Sequence, residues 1–309
     1  MEQKLIQLAI EYGSDAAWLL PVFSYPEWVA MREKGLLPPQ TDYIRPDAET
    51  ELPGANALLL LLKRYEALED GYVSGYYLAS QQCYEAARAL TFRLRADGVP
   101  AAVARVPLKE TVLKAGLGVK LKNGLTAIAP YGTRFALEAL FLTLERAPVL
   151  NTAIPPGKET ACRHCGRCET ACPTGAVDTA GFRWQKCLRA YMENEPMPQW
   201  VMERITVLLG CERCQAACPV NAGQKTRRMT EAERAAFAPE RLLCGEQKEA
   251  LALIGKNQKK NGKLMAQAAC AAANNGRKDL LPLLEALEKT ELTPIQKTAV
   301  NYALSVLKN

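Results

Sequence analysis

Eight cysteines fall between Cys162 and Cys218 in a chain of 309 residues that holds 11 in all. Cys162, Cys165, Cys168 and Cys172 are followed by Pro173 in the order C-x2-C-x2-C-x3-C-P, a spacing that holds four-iron four-sulfur clusters. The two short gaps let three thiolates converge on one cluster face, while the fourth cysteine leaves on the other side of a helix start and serves a second cluster. Cys211, Cys214 and Cys218 with Pro219 form C-x2-C-x3-C-P, one ligand short, and Cys187 completes that set best. Crossed ligation then gives one cluster on Cys162, Cys165, Cys168 and Cys218 and another on Cys172, Cys187, Cys211 and Cys214. A pair of zinc sites is the alternative, since four thiolates also suit tetrahedral Zn, but zinc ribbons pair C-x2-C knuckles and do not need the longer run. Electron transfer is the chemistry these residues support best.

The three remaining cysteines, Cys83, Cys244 and Cys270, read as small buried or semi-exposed residues rather than ligands. Cys83 and Cys270 lie in Ala-rich helical patterns, and Cys244 lies near a loop. His164, the only histidine, sits between two cluster cysteines and reads as an exposed loop residue. With no other histidine, hydrolytic mechanisms lose their usual general base.

Positioning these cysteines requires a sizeable scaffold, and 49% hydrophobic residues supply its core. The net charge of +6 is mild. No apolar run approaches the roughly 20 residues of a membrane span, and the start, MEQKLIQLAIEYG, reads as an amphipathic helix without the marks of a signal peptide. A cytoplasmic, reducing location with no membrane partner is expected, which favours metal ligation over disulfides. Residues 1–150 mix short apolar runs with helical patterns, giving an α+β class with strands expected at 57–62, 101–106 and 125–129 and helices at 80–96 and 135–144. A Pro/Gly-rich connector at 153–159 leads into a cysteine domain spanning 151–226. Residues 227–309 form a third, helical segment, with helices expected at 251–254, 264–273, 280–287 and 295–307 that pair like HEAT repeats. The last 65 residues carry 10 Lys+Arg against 6 Asp+Glu, so +4 of the net charge lies there.

Two clusters make a short electron wire, and the 150 residues before them are more than a cap. Their most distinctive stretch runs from Val106 to Thr143, with Gly116, Leu117 and Gly118, then Lys122 and Asn123, then Tyr131 and Gly132. It reads as a backbone-rich pocket or as an ordinary strand–turn–helix junction, and it lacks the G-x-G-x-x-G of a dinucleotide site.

AGLG with a following Lys-Asn-Gly, then PYGTRFALEALFLT, then the double-cluster segment with its isolated Cys187, resembles the epoxyqueuosine reductase family and its relatives, the reductive dehalogenases. The resemblance runs best from Tyr76 to Asn221. It implies a nitroreductase-like α/β domain holding cobalamin, a bacterial-ferredoxin-like double-cluster domain and C-terminal HEAT-like helices that help hold tRNA. It also implies a low-potential electron donor of the ferredoxin or flavodoxin type. Gly116, Leu117, Gly118, Lys122, Asn123, Tyr131 and Gly132 are the implied cofactor-binding residues, and Tyr77 is the implied pocket tyrosine and catalytic candidate. Family members commonly read AGLGW-x-GKN where this chain has AGLGVKLKN, with Val119 and Leu121 at the altered positions. The family's VDTGP-like stretch, whose Asp resembles a proton donor, corresponds here to VARVPLKE. An acid would come from Glu110, Lys109, Tyr76 or Tyr77. An electron-transfer or corrinoid-reducing partner protein without its own substrate, and a tRNA-binding protein with structural clusters, are the other readings.

Overall fold

The computed structural model describes residues 2–150 and 161–309; the connector expected at 153–159 lies outside them. The chain forms two units that interleave in sequence. Met1–Tyr65, Ala79–Gly166 and Ala217–Gln224 make the first, and Glu66–Leu78, Arg167–Ala216 and Lys225–Asn309 the second.

The first unit is built on a four-stranded sheet in the order Ala16–Pro21, Ala57–Arg64, Phe135–Leu142, Ala101–Val103, with every neighbouring pair antiparallel. The run Ala57 to Leu62 is completely buried because both faces of this strand are covered. On one face Leu59, Leu61 and Leu140 pack with Ala79, Cys83, Ala87, Leu90 and Leu94. Those five recur at helical spacing along the helix Gly75–Ala96 and form its apolar stripe. Leu5 and Ala9 of the helix Glu2–Glu11 join the same face. On the other face Leu58, Leu60 and Phe141 pack with Tyr25, Trp28, Val112, Ala115 and Ile128.

The helix expected at 135–144 is instead the strand Phe135–Leu142. FALEALFL is made of good helix formers, but it pairs on one side with Ala57–Arg64 and on the other with Ala101–Val103, and tertiary pairing overrides a weak local preference. At 125–129 only Thr126–Ala127 forms a strand, paired with Val119–Lys120 across the turn at Leu121 to Gly124. The strand Ala16–Pro21, AAWLLP, has no alternating pattern to mark it and pairs antiparallel with Ala57–Arg64.

The second unit centres on the helix Lys263–Asn274, buried from Leu264 to Ala273. Its sequence KLMAQAACAAAN is apolar nearly all round, as a helix surrounded by neighbours requires. Lys248–Ile254, Leu281–Glu288 and Pro294–Lys308 supply residues to the same core, close to the four expected helices. Two polar side chains of the central helix serve the irregular segment around 192–206. Gln267 donates to the Met192 carbonyl at 2.7 Å, and Asn274 donates to those of Met202 and Ile205 at 2.6 and 2.7 Å. Cys83 and Cys270 are buried and Cys244 is exposed. Among the described residues no helix is long and apolar enough to cross a membrane.

Candidate metal centre

Short elements hold the cysteines. Cys168 lies on the helix Arg167–Ala171 and Cys214 on the helix Arg213–Ala216, and these two helices pack together in the second unit. The Cys214 thiol is pushed up to about 12, first by burial and then by Cys211, Cys187, Cys172 and Cys168. Cys211 is raised by burial and by Cys187 and Cys172. Cys172, Cys187, Cys211 and Cys214 therefore share one electrostatic neighbourhood. Cys172 is the exception in sign, because burial opposes its thiolate but hydrogen bonds outweigh it and hold it below the usual thiol range. The Ala176 amide donates to its Sγ at 3.2 Å, and the Thr174 hydroxyl lies at 3.6 Å.

The first unit holds a second group. Burial raises the Cys218 thiol, and Cys162 and Cys165 raise it further. Cys168 belongs to the second unit, within the field of Cys214. Thiols that raise one another in this way are deprotonated by the cations they bind. Among the described residues no three Cys, His, Asp or Glu side chains could hold a single metal ion. Thiolates of a four-iron cluster attach to different irons and need not meet at one point. His164 is exposed, with φ 49°, a left-handed conformation that histidine adopts more readily than most residues.

Gly116, Leu117, Gly118, Lys122, Asn123, Tyr131 and Gly132 all lie in the first unit. Asn123 is buried, and its Oδ1 accepts the Leu125 amide at 3.2 Å, closing the turn. Leu121 is buried as well. Gly118 has no room for a Cβ, which would meet the Ala127 carbonyl oxygen at 2.5 Å and Val112 Cγ1 at 2.9 Å. At Gly132, with φ +60°, a Cβ would strike Asn221 Oδ1. Gly116, with φ +67°, faces open space at that position.

No motif marks Asn221 in the sequence. It follows Cys218-Pro219 by two residues, and its Oδ1 accepts from the Thr133 amide at 2.9 Å while its Nδ2 donates to the Thr133 hydroxyl at 2.9 Å. Gln224 donates to the Pro130 carbonyl at 2.9 Å. The segment carrying Cys218 is thus stitched to the loop carrying Tyr131 and Gly132, all within one unit.

Tyr77 lies in the core of the second unit, 4% exposed, with its hydroxyl donating to Glu193 at 2.9 Å. Tyr76 is 40% exposed. Lys109 donates to the Gly124 carbonyl at 3.4 Å, and Glu110 lies in the first turn of the helix Leu108–Lys114. Glu193 and Arg189, which contact Tyr77, and Lys263, which pairs with Glu193, carry no motif that marks them in the sequence.

The family described as a 4Fe-4S double cluster binding domain matches residues 161–221. The epoxyqueuosine reductase of Lactococcus garvieae is 36% identical over 116 residues, which cover 36% of this chain and 30% of that protein. The chain thus spans about 30% of the length of that curated relative. The structure of epoxyqueuosine reductase from Bacillus subtilis superposes with a TM-score of 0.73 at 19% identity, covering 99% of this chain and 90% of that one. That of an epoxyqueuosine reductase with an epoxyqueuosine-modified tRNA-Tyr stem loop superposes with a TM-score of 0.66 at 17% identity, covering 99% and 98%. These superpositions establish a shared fold of mixed helix and sheet.

Proposed function

We propose that the chain is a divergent relative of the epoxyqueuosine reductases, an oxidoreductase passing electrons through two four-iron four-sulfur clusters to cobalamin beside the 115–132 loop. Its substrate on this reading is epoxyqueuosine in tRNA or a close relative. The observation that carries the proposal is the stitching of the Cys218 segment onto the loop at 130–133 by Asn221 and Gln224. On this reading that link brings the cluster on Cys218 next to the loop assigned to the cofactor.

Cys162, Cys165, Cys168 and Cys218 hold one cluster and Cys172, Cys187, Cys211 and Cys214 the other. The Ala176 and Thr174 hydrogen bonds to Cys172 stabilise its thiolate form and orient it. Cobalamin, when bound, supplies a strong nucleophile or one-electron reductant. The fit to that group is uneven along the loop. Gly116 has open space beside it, and Leu117 is half-buried, but the space at Gly118 and Gly132 is filled by Ala127, Val112 and Asn221 of the chain itself. Gly116 and Leu117 are therefore the residues best able to meet a corrin, while Gly118 and Gly132 shape the loop. Lys122, Asn123 and Tyr131 support it. Tyr77, given its burial, acts through Glu193 rather than on substrate.

Residues 1–150 serve as a nitroreductase-like domain, 151–226 as a ferredoxin-like cluster domain and 227–309 as HEAT-like helices that hold tRNA. A low-potential donor of the ferredoxin or flavodoxin class feeds the clusters in the cytoplasm. Conversion of epoxyqueuosine in a tRNA stem loop by protein loaded with iron and cobalamin, with a low-potential reductant, tests the assignment. Turnover dependent on cobalamin supports it. Full iron loading without cobalt binding rejects the corrin, and favours a relay protein that reduces a partner, a reading motivated by Val119, Leu121 and the missing Asp.

A further inference from the structure

In the second unit Cys187 sits between two short helical turns. Trp184–Lys186 form a 3₁₀ turn and Leu188–Tyr191 one turn of α-helix, with Cys187 extended between them at φ −77° and ψ 119°. Both of its backbone polar groups are engaged inside that stretch. Its amide donates to the Trp184 carbonyl at 2.9 Å, and its carbonyl accepts from the Ala190 amide at 3.0 Å. Turns this short do not persist on their own, so contacts between side chains must hold them. The rings of Trp184 and Tyr191, one at each end of the stretch, stack with centroids 6.2 Å apart and 21° between their planes. Trp200 meets Tyr191 edge-on, with centroids 5.4 Å apart and 66° between planes. Both separations lie where aromatic pairs attract beyond their burial. Tyr191 and Trp200 pack against the core of the second unit, to which Leu188 and Met192 belong.

The nearest cysteines in sequence, Cys172 and Cys211, belong to the two runs, whereas Cys187 has no neighbouring ligand. Within a run, one bound thiolate brings the next within reach. A lone ligand must be delivered by its own backbone, and fixing a free segment at the moment of binding costs conformational entropy at every residue fixed. Rings that close the stretch 184–191 in the folded protein remove that cost, as orienting groups behind a metal ligand do.

We propose that Trp184, Tyr191 and Trp200 form an aromatic clasp that positions Cys187 for the cluster it shares with Cys172, Cys211 and Cys214. The inference rests on the reading of Cys187 as a ligand of that cluster. The three are positioning residues, and the stack of Trp184 on Tyr191 is the contact that closes the clasp.

The test is the rate of iron release to a chelator from anaerobically purified, fully loaded protein and its variants. In Trp184→Ala about half of the iron should leave about 2- to 10-fold faster than in the native protein, and the other half at the native rate. Trp184→Phe, which keeps a ring, should restore the native rate. Tyr191→Leu keeps an apolar side chain against the core while removing the stack, and should reproduce Trp184→Ala, which it replaces if that variant does not fold. The EPR signal left after the fast phase should match that of Cys187→Ala, and adding Trp184→Ala to Cys187→Ala should not speed release of the remaining iron. Native rates in both ring variants, or a single accelerated phase that takes all the iron, would overturn the clasp. A Cys187→Ala protein that keeps all its iron overturns the ligation itself, which separates the two failures.

Discussion

At the scale of the residue, cysteine identity and spacing carry most of the account. Cys187 is the proposed ligand outside either run, so Cys187→Ala is expected to lower bound iron from about eight to about four per chain, while Cys244→Ser leaves it unchanged; iron quantitation after anaerobic purification checks both. Glu138 gives a second expectation. It faces Leu61 across the sheet, and burial pushes its carboxyl from 4.5 to about 7. Its folded state binds the proton more tightly than the unfolded state, so its favourable contribution is complete below about 4.5 and is lost as pH rises through about 7. Glu138→Gln should therefore stabilise the protein at pH 8, by something on the order of 2 kcal/mol, and change little at pH 4, as read from denaturant midpoints. The cysteines could be read in advance because ligand spacing is local. Asn221, Glu193 and Lys263 could not, because the partners that give them a role lie far away in sequence.

Among the elements, apolar runs and helix stops gave the buried strand Ala57–Arg64 and the C-terminal helices nearly in place. The stretch FALEALFL read as helix because its residues favour helix locally, whereas its role is that of an inner strand with a partner on each side. Pairing of that kind is invisible until the partners are known. The irregular chain around the second cysteine set depends on the central helix. Asn274 supplies two hydrogen bonds to the Met202 and Ile205 carbonyls and accepts one from the Tyr302 hydroxyl. Asn274→Ala leaves those groups without it and is expected to cost about 1–3 kcal/mol, measured by urea unfolding. The loop at Tyr131 to Thr133 has a comparable dependence on Asn221, which was legible only as a polar residue following a cysteine–proline pair.

For the whole molecule, the basic surplus at the C-terminal end and the double cluster make separate claims. If the helical segment holds tRNA, affinity for an epoxyqueuosine-containing stem loop should fall steeply between about 50 and 200 mM salt, and a titration that shows no salt dependence would remove that role. Several cations of the helical segment already face carboxylates, among them Arg241 with Glu246 and Glu249, and Lys308 with Glu285, so fewer of its cations are available to phosphate than the number of its lysines and arginines suggests. The central claim is that eight cysteines hold two iron–sulfur clusters. The metal and sulfide content of protein purified anaerobically, with cobalamin supplied, tests it most directly. About eight irons and eight sulfides per chain, with negligible zinc, are predicted. About two zinc ions without iron or sulfide would contradict the account.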